Sequence, residues 1–353
     1  MINLPARYAS VTKVLDGGGM SDTLLCQDSH LNRPVVIKRL KAGIEKHRLL
    51  DELSALSSIR SRYVVQVLDV ISHEGEIVGL VEEYIDGGDL APLAHPFDRM
   101  DALAALYPVF AGVAEIHSHE RLHRDLKPDN MKLDSGGILK VFDFGLAKIA
   151  QNAKTDKLFF SQGYAAPEIF QVDALGQHCF SKAVDVFAAG AISLWMLQNG
   201  ILPPQLSNIP PVLPCADFSK LGVPLSVRVS DMLNLTLSSN PDDRPTAEEV
   251  RVALERELLF DRHKMLLTYS GASHILSAQK RSVELTSGVN SIKITYDGHA
   301  FSVSNVTGTV HINNASVNVG DKLNGAVVIV FRSPNNPYPT SITAEVSHPE
   351  VIL

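Results

Sequence analysis

Asp125, Asn130 and Asp143 carry the chemistry most legible in this chain. Two of them lie in the octet His123-Arg124-Asp125-Leu126-Lys127-Pro128-Asp129-Asn130, and the third opens the tripeptide Asp143-Phe144-Gly145. A carboxylate beside a hydroxyl accepts its proton. A second carboxylate with an amide oxygen holds Mg²⁺, a hard ion that takes oxygen ligands and binds through few protein groups plus phosphates. Together these are parts for phosphoryl transfer to a hydroxyl. Between the two strings lie Met131-Lys132-Leu133, a polar turn at Asp134 to Gly137, and an apolar run from Ile138 to Phe142. That pattern reads as a loop, a short hairpin and a second loop, with the three side chains at the mouths of short strands.

The octet and the tripeptide, at this separation, resemble the catalytic loop and metal loop of protein kinases. The resemblance is to the eukaryotic-like, bacterial-type Ser/Thr branch, and it covers Tyr8 to about Phe260. It implies an α+β fold of two lobes, a β-rich N-lobe over 1–85 and a helical C-lobe over 86–260. It implies ATP as phosphate donor, Mg²⁺ (or Mn²⁺) held by Asn130 and Asp143, and a protein Ser/Thr hydroxyl as acceptor. Asp125 takes the role of catalytic base. Lys127 marks the Ser/Thr type of loop and balances charge at the γ-phosphate. His123 becomes a buried strut and Phe144 a structural residue. Arg124 stands where kinases switched by loop phosphorylation carry an arginine.

The elements that must position these groups follow in order. Tyr8 to Leu15 reads as a first strand, Asp16 to Asp22 as a turn, and Thr23 to Gln27 as the return. Gly17, Gly18 and Gly19 allow close backbone approach to phosphates, although Asp16 and Ser21 replace two of the three family glycines. Pro34-Val35-Val36-Ile37-Lys38 is similar to the family's V-A-I-K, which makes Lys38 the lysine on the α and β phosphates. Leu49, Leu53, Leu56 and Ile59 recur with helical spacing over Glu45 to Arg60, and Glu52 on that helix matches the partner of the lysine, with Asp51 as the alternative register. Val64 to Ser72 and Ile77 to Tyr84 are two more strands. The stretch Leu80 to Leu90 resembles the hinge between lobes. It gives Glu83 and Ile85 as backbone contacts to adenine, and Asp89 as a ribose contact. Glu82 falls where the family is usually apolar. A carboxylate there must pair or shift its pKa, and it is expected to engage Lys38 or water, or else to turn to solvent.

Met100 to His119 is an apolar helix feeding the octet. His117 and His119 are expected to be structural. The segment after Gly145 holds Thr155, the preferred autophosphorylation site, and Ser161, whose hydroxyl matches a family threonine that bonds the catalytic aspartate and lysine. Glu168 of Ala166-Pro167-Glu168 pairs with Arg244 in the family pattern. Asp185 opens an apolar helix over Ala183 to Leu197 and braces the catalytic loop. Thr246 and Glu249 form a capping box for a last helix ending near Leu259.

The totals set outer limits. A length of 353 residues suggests about two domains. A net charge of −7 argues against a nucleic-acid surface. Cys26, Cys179 and Cys215 show no metal spacing and fit a reducing, cytoplasmic setting. No signal peptide and no membrane span are expected. Residues 261–290 read as a linker with a short helix. Residues 291–353 alternate as a small all-β unit of five or six strands, with no family resemblance recognised in it. A core of that size is marginal alone, so it is expected to dock on the first domain, on itself in another copy, or on a partner. The function expected is a Ser/Thr protein kinase that autophosphorylates its activation loop in a signalling or regulatory role. The alternative is a pseudokinase scaffold.

Overall fold

The computed structural model describes residues 4–15, 21–40, 47–150, 153–155, 158–269, 271–333 and 336–348. Asp16, Gly17, Gly18, Gly19 and Met20, which form the expected phosphate loop, lie outside the described residues. The chain divides into two units, Met1–Ala253 and Leu254–Leu353. The boundary falls inside a helix, seven residues before the expected end of the first domain at 260.

The first unit begins with strands. β1 (Ser10–Leu15), β2 (Ser21–Asp28), β3 (Arg33–Leu40), β4 (Val67–His73) and β5 (Glu76–Glu83) form one antiparallel sheet in the order β1-β2-β3-β5-β4. β1 starts later than expected because Ala6–Tyr8 turns as a 3-10 helix. That turn buries Tyr8, whose hydroxyl donates to Asp69 at 2.8 Å. On β3, Val35 and Ile37 are fully buried in a cluster with Tyr8, Cys26, Ile71 and Val81. Strand alternation therefore sends Val36 and Lys38 to the other face. Helix α1 (His47–Ser58) contributes the buried residues Leu49, Glu52 and Leu56.

Helices dominate the rest of this unit. α2 (Arg99–Ser118) is capped by a reciprocal Asp98–Asp101 box and is buried along most of its length. The short strands β6 (Arg121–Leu122) and β9 (Lys148–Ile149) pair, as do β7 (Met131–Leu133) and β8 (Leu139–Val141), and β10 (Lys154–Thr155) and β11 (His178–Cys179). α3 (Lys182–Leu197) is apolar nearly all round, the pattern of a helix surrounded by protein, and packs on α2. α4 (Val227–Thr236) follows. α5 (Ala247–Leu259) opens on the Thr246–Glu249 box, where the two residues exchange bonds of 2.8 and 3.2 Å. Among the described residues no helix is long and apolar enough to cross a membrane.

The second unit corrects the sequence reading in three ways. Residues 261–290 are not a linker with a short helix. They carry β12 (Met265–Tyr269), β13 (Ala272–Leu276) and β14 (Ser282–Ser287). Seven strands follow, where five or six were expected: β15 (Asn290–Tyr296), β16 (Phe301–Thr307), β17 (Thr309–Ile312), β18 (Ala315–Ser316), β19 (Lys322–Leu323), β20 (Ala326–Ser333) and β21 (Asn336–Val346). They form a six-stranded sheet, β13-β12-β21-β20-β17-β18, and a four-stranded sheet, β14-β15-β16-β19. Both sheets contribute to one apolar core that includes Met265, Leu285, Ile294, Phe301, Ile329, Phe331 and Ile342. The unit is thus larger than the segment expected and has a core of its own. The size argument that it must dock elsewhere no longer applies. The missed signal was present in β14, where Val283 and Leu285 are buried between exposed neighbours and Gly288 turns the chain at φ +62°.

Candidate functional site

Lys38 is the centre of one cluster. Its ammonium donates to Glu52 Oε1 at 2.6 Å and to Asp143 Oδ1 at 2.8 Å. β3 supplies the lysine, α1 the glutamate, and the loop after β8 the aspartate. Glu52 is therefore the partner, and Asp51 lies instead 3.9 Å from Lys148. Burial alone would lower the Lys38 pKa, but the charges of Glu52, Glu82 and Asp143 override it and raise it well above the ordinary lysine value. Burial likewise pushes the Asp143 carboxyl up, and the charge and hydrogen bond of Lys38 pull it below its usual value. Glu52 Oε1 also accepts from the Phe144 backbone N–H at 3.2 Å, tying α1 to the Asp143 loop. Phe144 is fully buried and meets His123 edge-on, with centroids 4.7 Å apart.

Glu82 neither reaches solvent nor bonds Lys38. It is 4% exposed, and its Oε1 has no hydrogen-bond partner among the described residues. Burial drives its carboxyl up to about 8, with Lys38 pulling the other way.

The octet forms the second cluster. Asp125 Oδ1 accepts from the Ser161 hydroxyl at 2.6 Å, and Lys127 donates to the same hydroxyl at 3.1 Å. Lys127 also sits 3.3 Å from Asp125 Oδ2. A hydroxyl thus already lies against the carboxylate proposed to accept a hydroxyl proton. Asn130 donates from Nδ2 to the Asp125 carbonyl at 2.8 Å, which leaves its Oδ1 as an acceptor. Beneath the loop, Asp185 is 1% exposed and takes three bonds: His123 N–H at 2.9 Å, Arg124 N–H at 2.8 Å, and His117 Nε2 at 3.0 Å. Burial raises its carboxyl, and these bonds and the neighbouring histidines bring it below its usual value. The bracing holds Arg124 at φ +71°, a left-handed conformation that costs a non-glycine residue about 1–3 kcal/mol. His123 is fully buried; its Nε2 donates to the Phe142 carbonyl at 3.0 Å and its Nδ1 accepts from Asp125 N–H at 3.3 Å.

Other expected residues fall as follows. Arg244 forks onto Glu168 with bonds of 2.7 and 2.8 Å. The Glu83 backbone N–H donates to the Gln66 carbonyl at 2.9 Å, and its carboxylate accepts from Lys140 at 2.8 Å. Ile85 is buried, and Asp89 pairs with Lys132 at 2.8 Å at an exposed position. Thr155 lies in β10 opposite His178. The Arg124 guanidinium stacks on Phe180 at 3.8 Å and donates to the Leu146 carbonyl at 3.3 Å. Burial lowers its pKa to about 10. Two contributors escaped the sequence reading. The sequence marks His117 only as structural, and the fold brings it to Asp185. Lys140, on a hairpin strand, gave no local sign that it would reach Glu83.

The donor set fits a hard cation. Among the described residues no three His, Cys, Asp or Glu side chains converge on a metal site. Asp143 and Asn130 offer one carboxylate and one amide oxygen, a set that would suit a hard ion completing its shell from phosphates and solvent.

The family described as protein kinase domain matches residues 9–253. CBL-interacting protein kinase 32 of Oryza sativa subsp. japonica is 30% identical over 252 residues, 67% of this chain and 56% of its own length. CBL-interacting serine/threonine-protein kinase 12 of Arabidopsis thaliana is 30% identical over 253 residues, 67% of this chain and 50% of its own length. A probable serine/threonine-protein kinase 2 of Plasmodium falciparum is 29% identical over 228 residues, 61% of this chain and 43% of its own length. The chain spans about half the length of these curated relatives, and the family match stops before the second unit.

Proposed function

Because this chain belongs to the protein kinase domain family, we propose that it is a Ser/Thr protein kinase which transfers the γ-phosphate of ATP to protein hydroxyls. One observation carries the reading: the Ser161 hydroxyl is held between Asp125 and Lys127, while Lys38, Glu52 and Asp143 are bonded together nearby. Asp125 orients the acceptor hydroxyl and takes its proton. Lys127 stabilises charge as it develops. Glu52 holds Lys38, and Lys38 fixes the phosphates of the nucleotide. Asn130 and Asp143 hold Mg²⁺, which when bound neutralises phosphate charge. The transition state is loose, so most of the work is positioning.

The finer parts of this reading are proposals too. The sheet β1-β2-β3-β5-β4 and the helical region of α2 to α5 act as two lobes about the Glu83–Ile85 hinge. Thr155 is an autophosphorylation site, and Arg124, whose Nε has no partner among the described residues, receives its phosphate. A cytoplasmic setting is proposed as well, on the sparse, widely separated cysteines of the sequence. The second unit is a docking or self-association module.

Mass spectrometry after incubation with Mg-ATP tests the proposal. The expected result is added phosphate on Ser or Thr, Thr155 included, that is absent without ATP. A second reading, a pseudokinase scaffold, draws on the buried Glu82, whose Oε1 has no hydrogen-bond partner among the described residues. It predicts partner binding with no phosphate gained.

A further inference from the structure

Lys38 and Glu82 are diagonal neighbours on adjacent strands. The ladder pairs Val36 with Glu82 and Lys38 with Leu80. Alternation then sends the Lys38 and Glu82 side chains to the same face, within reach of a long side chain. Three carboxylates, Glu52, Asp143 and Glu82, thus share one ammonium. Two of them bond it. The third is buried without a partner at Oε1. Such an atom costs about 1–3 kcal/mol, and an apolar side chain would fill the position without that cost.

The two bonded partners are the ones with reason to leave. The Asp143 side chain is 46% exposed and belongs to the oxygen set that suits a cation, so a bound ion competes with Lys38 for it. Glu52 rides on a helix, and its Oε1 is divided between Lys38 and the Phe144 N–H. Glu82 is different. It sits on β5, between β3 and β4 and hydrogen-bonded on both sides. Its backbone is fixed relative to β3, and so relative to the lysine.

We propose that Glu82 is a positioning residue, a fixed second carboxylate that keeps Lys38 in the site when Glu52 or Asp143 releases it. This rests on the proposed function only in giving Lys38 its task of holding phosphates. With Glu52 in place, Glu82 adds little. With Glu52 gone, Lys38 turns to Glu82 and stays inside the cleft. The two glutamates are partly redundant, so their removal is not additive.

The test is a double-mutant cycle on the full chain with Glu82→Gln, Glu52→Gln and the pair. The readout is the rate of acetylation of the Lys38 amine by acetic anhydride at a single alkaline pH, followed by peptide mass spectrometry. An amine no longer held by carboxylates inside the site is reached by the reagent more readily. Glu52→Gln is expected to label faster than wild type, and Glu82→Gln alone close to wild type. The pair is expected to exceed the product of the singles by about 3- to 100-fold. A pair equal to that product overturns the proposal. Glu82→Met, which fills the space without an oxygen, repeats the cycle should the glutamine pair fold poorly. Under the proposal it couples to Glu52→Gln in the same way, and a Met series with no coupling means that Glu82 only packs. Labelling requires no catalysis. A chain that shows the coupling and transfers no phosphate refutes the proposed function alone; a chain that transfers phosphate without the coupling refutes this proposal alone.

Discussion

Asp185 and Glu82 are both buried carboxylates, 1% and 4% exposed, yet the protein settles them in opposite ways. Asp185 takes two backbone N–H bonds and a histidine, and its carboxyl is held below the usual range. Glu82 has an oxygen with no partner among the described residues, and its carboxyl is pushed up to about 8. One secures a loop that must not move. The other lies on the same sheet face as Lys38. Burial alone does not say whether a charge is structural; the donors that meet it do.

Removing the saturated partner should do the most damage. Asp185→Ala leaves two N–H groups and His117 without their acceptor, and is expected to cost about 3–5 kcal/mol in urea unfolding. A loss below about 1 kcal/mol would break the contrast.

Replacing Glu82 should act in the other direction. Glu82→Met is expected to stabilise the protein by about 1–4 kcal/mol at pH 9, where the buried group is otherwise ionised. Unequal pKa values in the folded and unfolded states fix the sign. The Glu82 carboxyl is raised on folding, so the folded state holds its proton more tightly, and stability falls as pH rises from the ordinary glutamate range through about 8. Asp185 is lowered, so its contribution is full above the ordinary aspartate pKa and fades as pH falls. Thermal melts across pH should show Glu82→Met flattening the alkaline limb and Asp185→Asn the acid limb. Interchanged limbs would undo the comparison.

The smallest change concerns the hydroxyl on the catalytic carboxylate. Ser161→Ala removes two charge-assisted bonds and should slow phosphate transfer about 10- to 100-fold. Ser161→Thr keeps the hydroxyl and should stay within about 3-fold. Equal rates for the two would mean that Ser161 does not position Asp125.

The same contrast explains what was legible in the chain. Asp125, Lys127, Asn130 and Asp143 sit in two short strings whose spacing is itself the signal. Lys38, Glu52, Glu168, Asp185 and Arg244 were found because each is tied to a local pattern. His117 and Lys140 had no such pattern, because their partners Asp185 and Glu83 come from distant segments. The fate of Glu82 was open for the same reason: whether it faces solvent depends on what covers β5. In the second unit, strands 265–287 were missed although Val283 and Leu285 alternate, because Met265-Leu266-Leu267 reads equally as a short helix or a strand. An apolar triplet does not fix its own period.

The central claim is that Asp125 performs phosphoryl transfer in an assembled site. Incorporation of label from γ-³²P ATP into the full chain, wild type against Asp125→Asn, tests it most directly when Mg-ATP binding is followed in parallel by thermal shift. The account predicts label on Ser or Thr in the wild type. It predicts a loss of about 10²- to 10⁴-fold in Asp125→Asn, with nucleotide binding retained. A wild type that binds Mg-ATP and takes up no label, or a variant labelled as fast as the wild type, would contradict it.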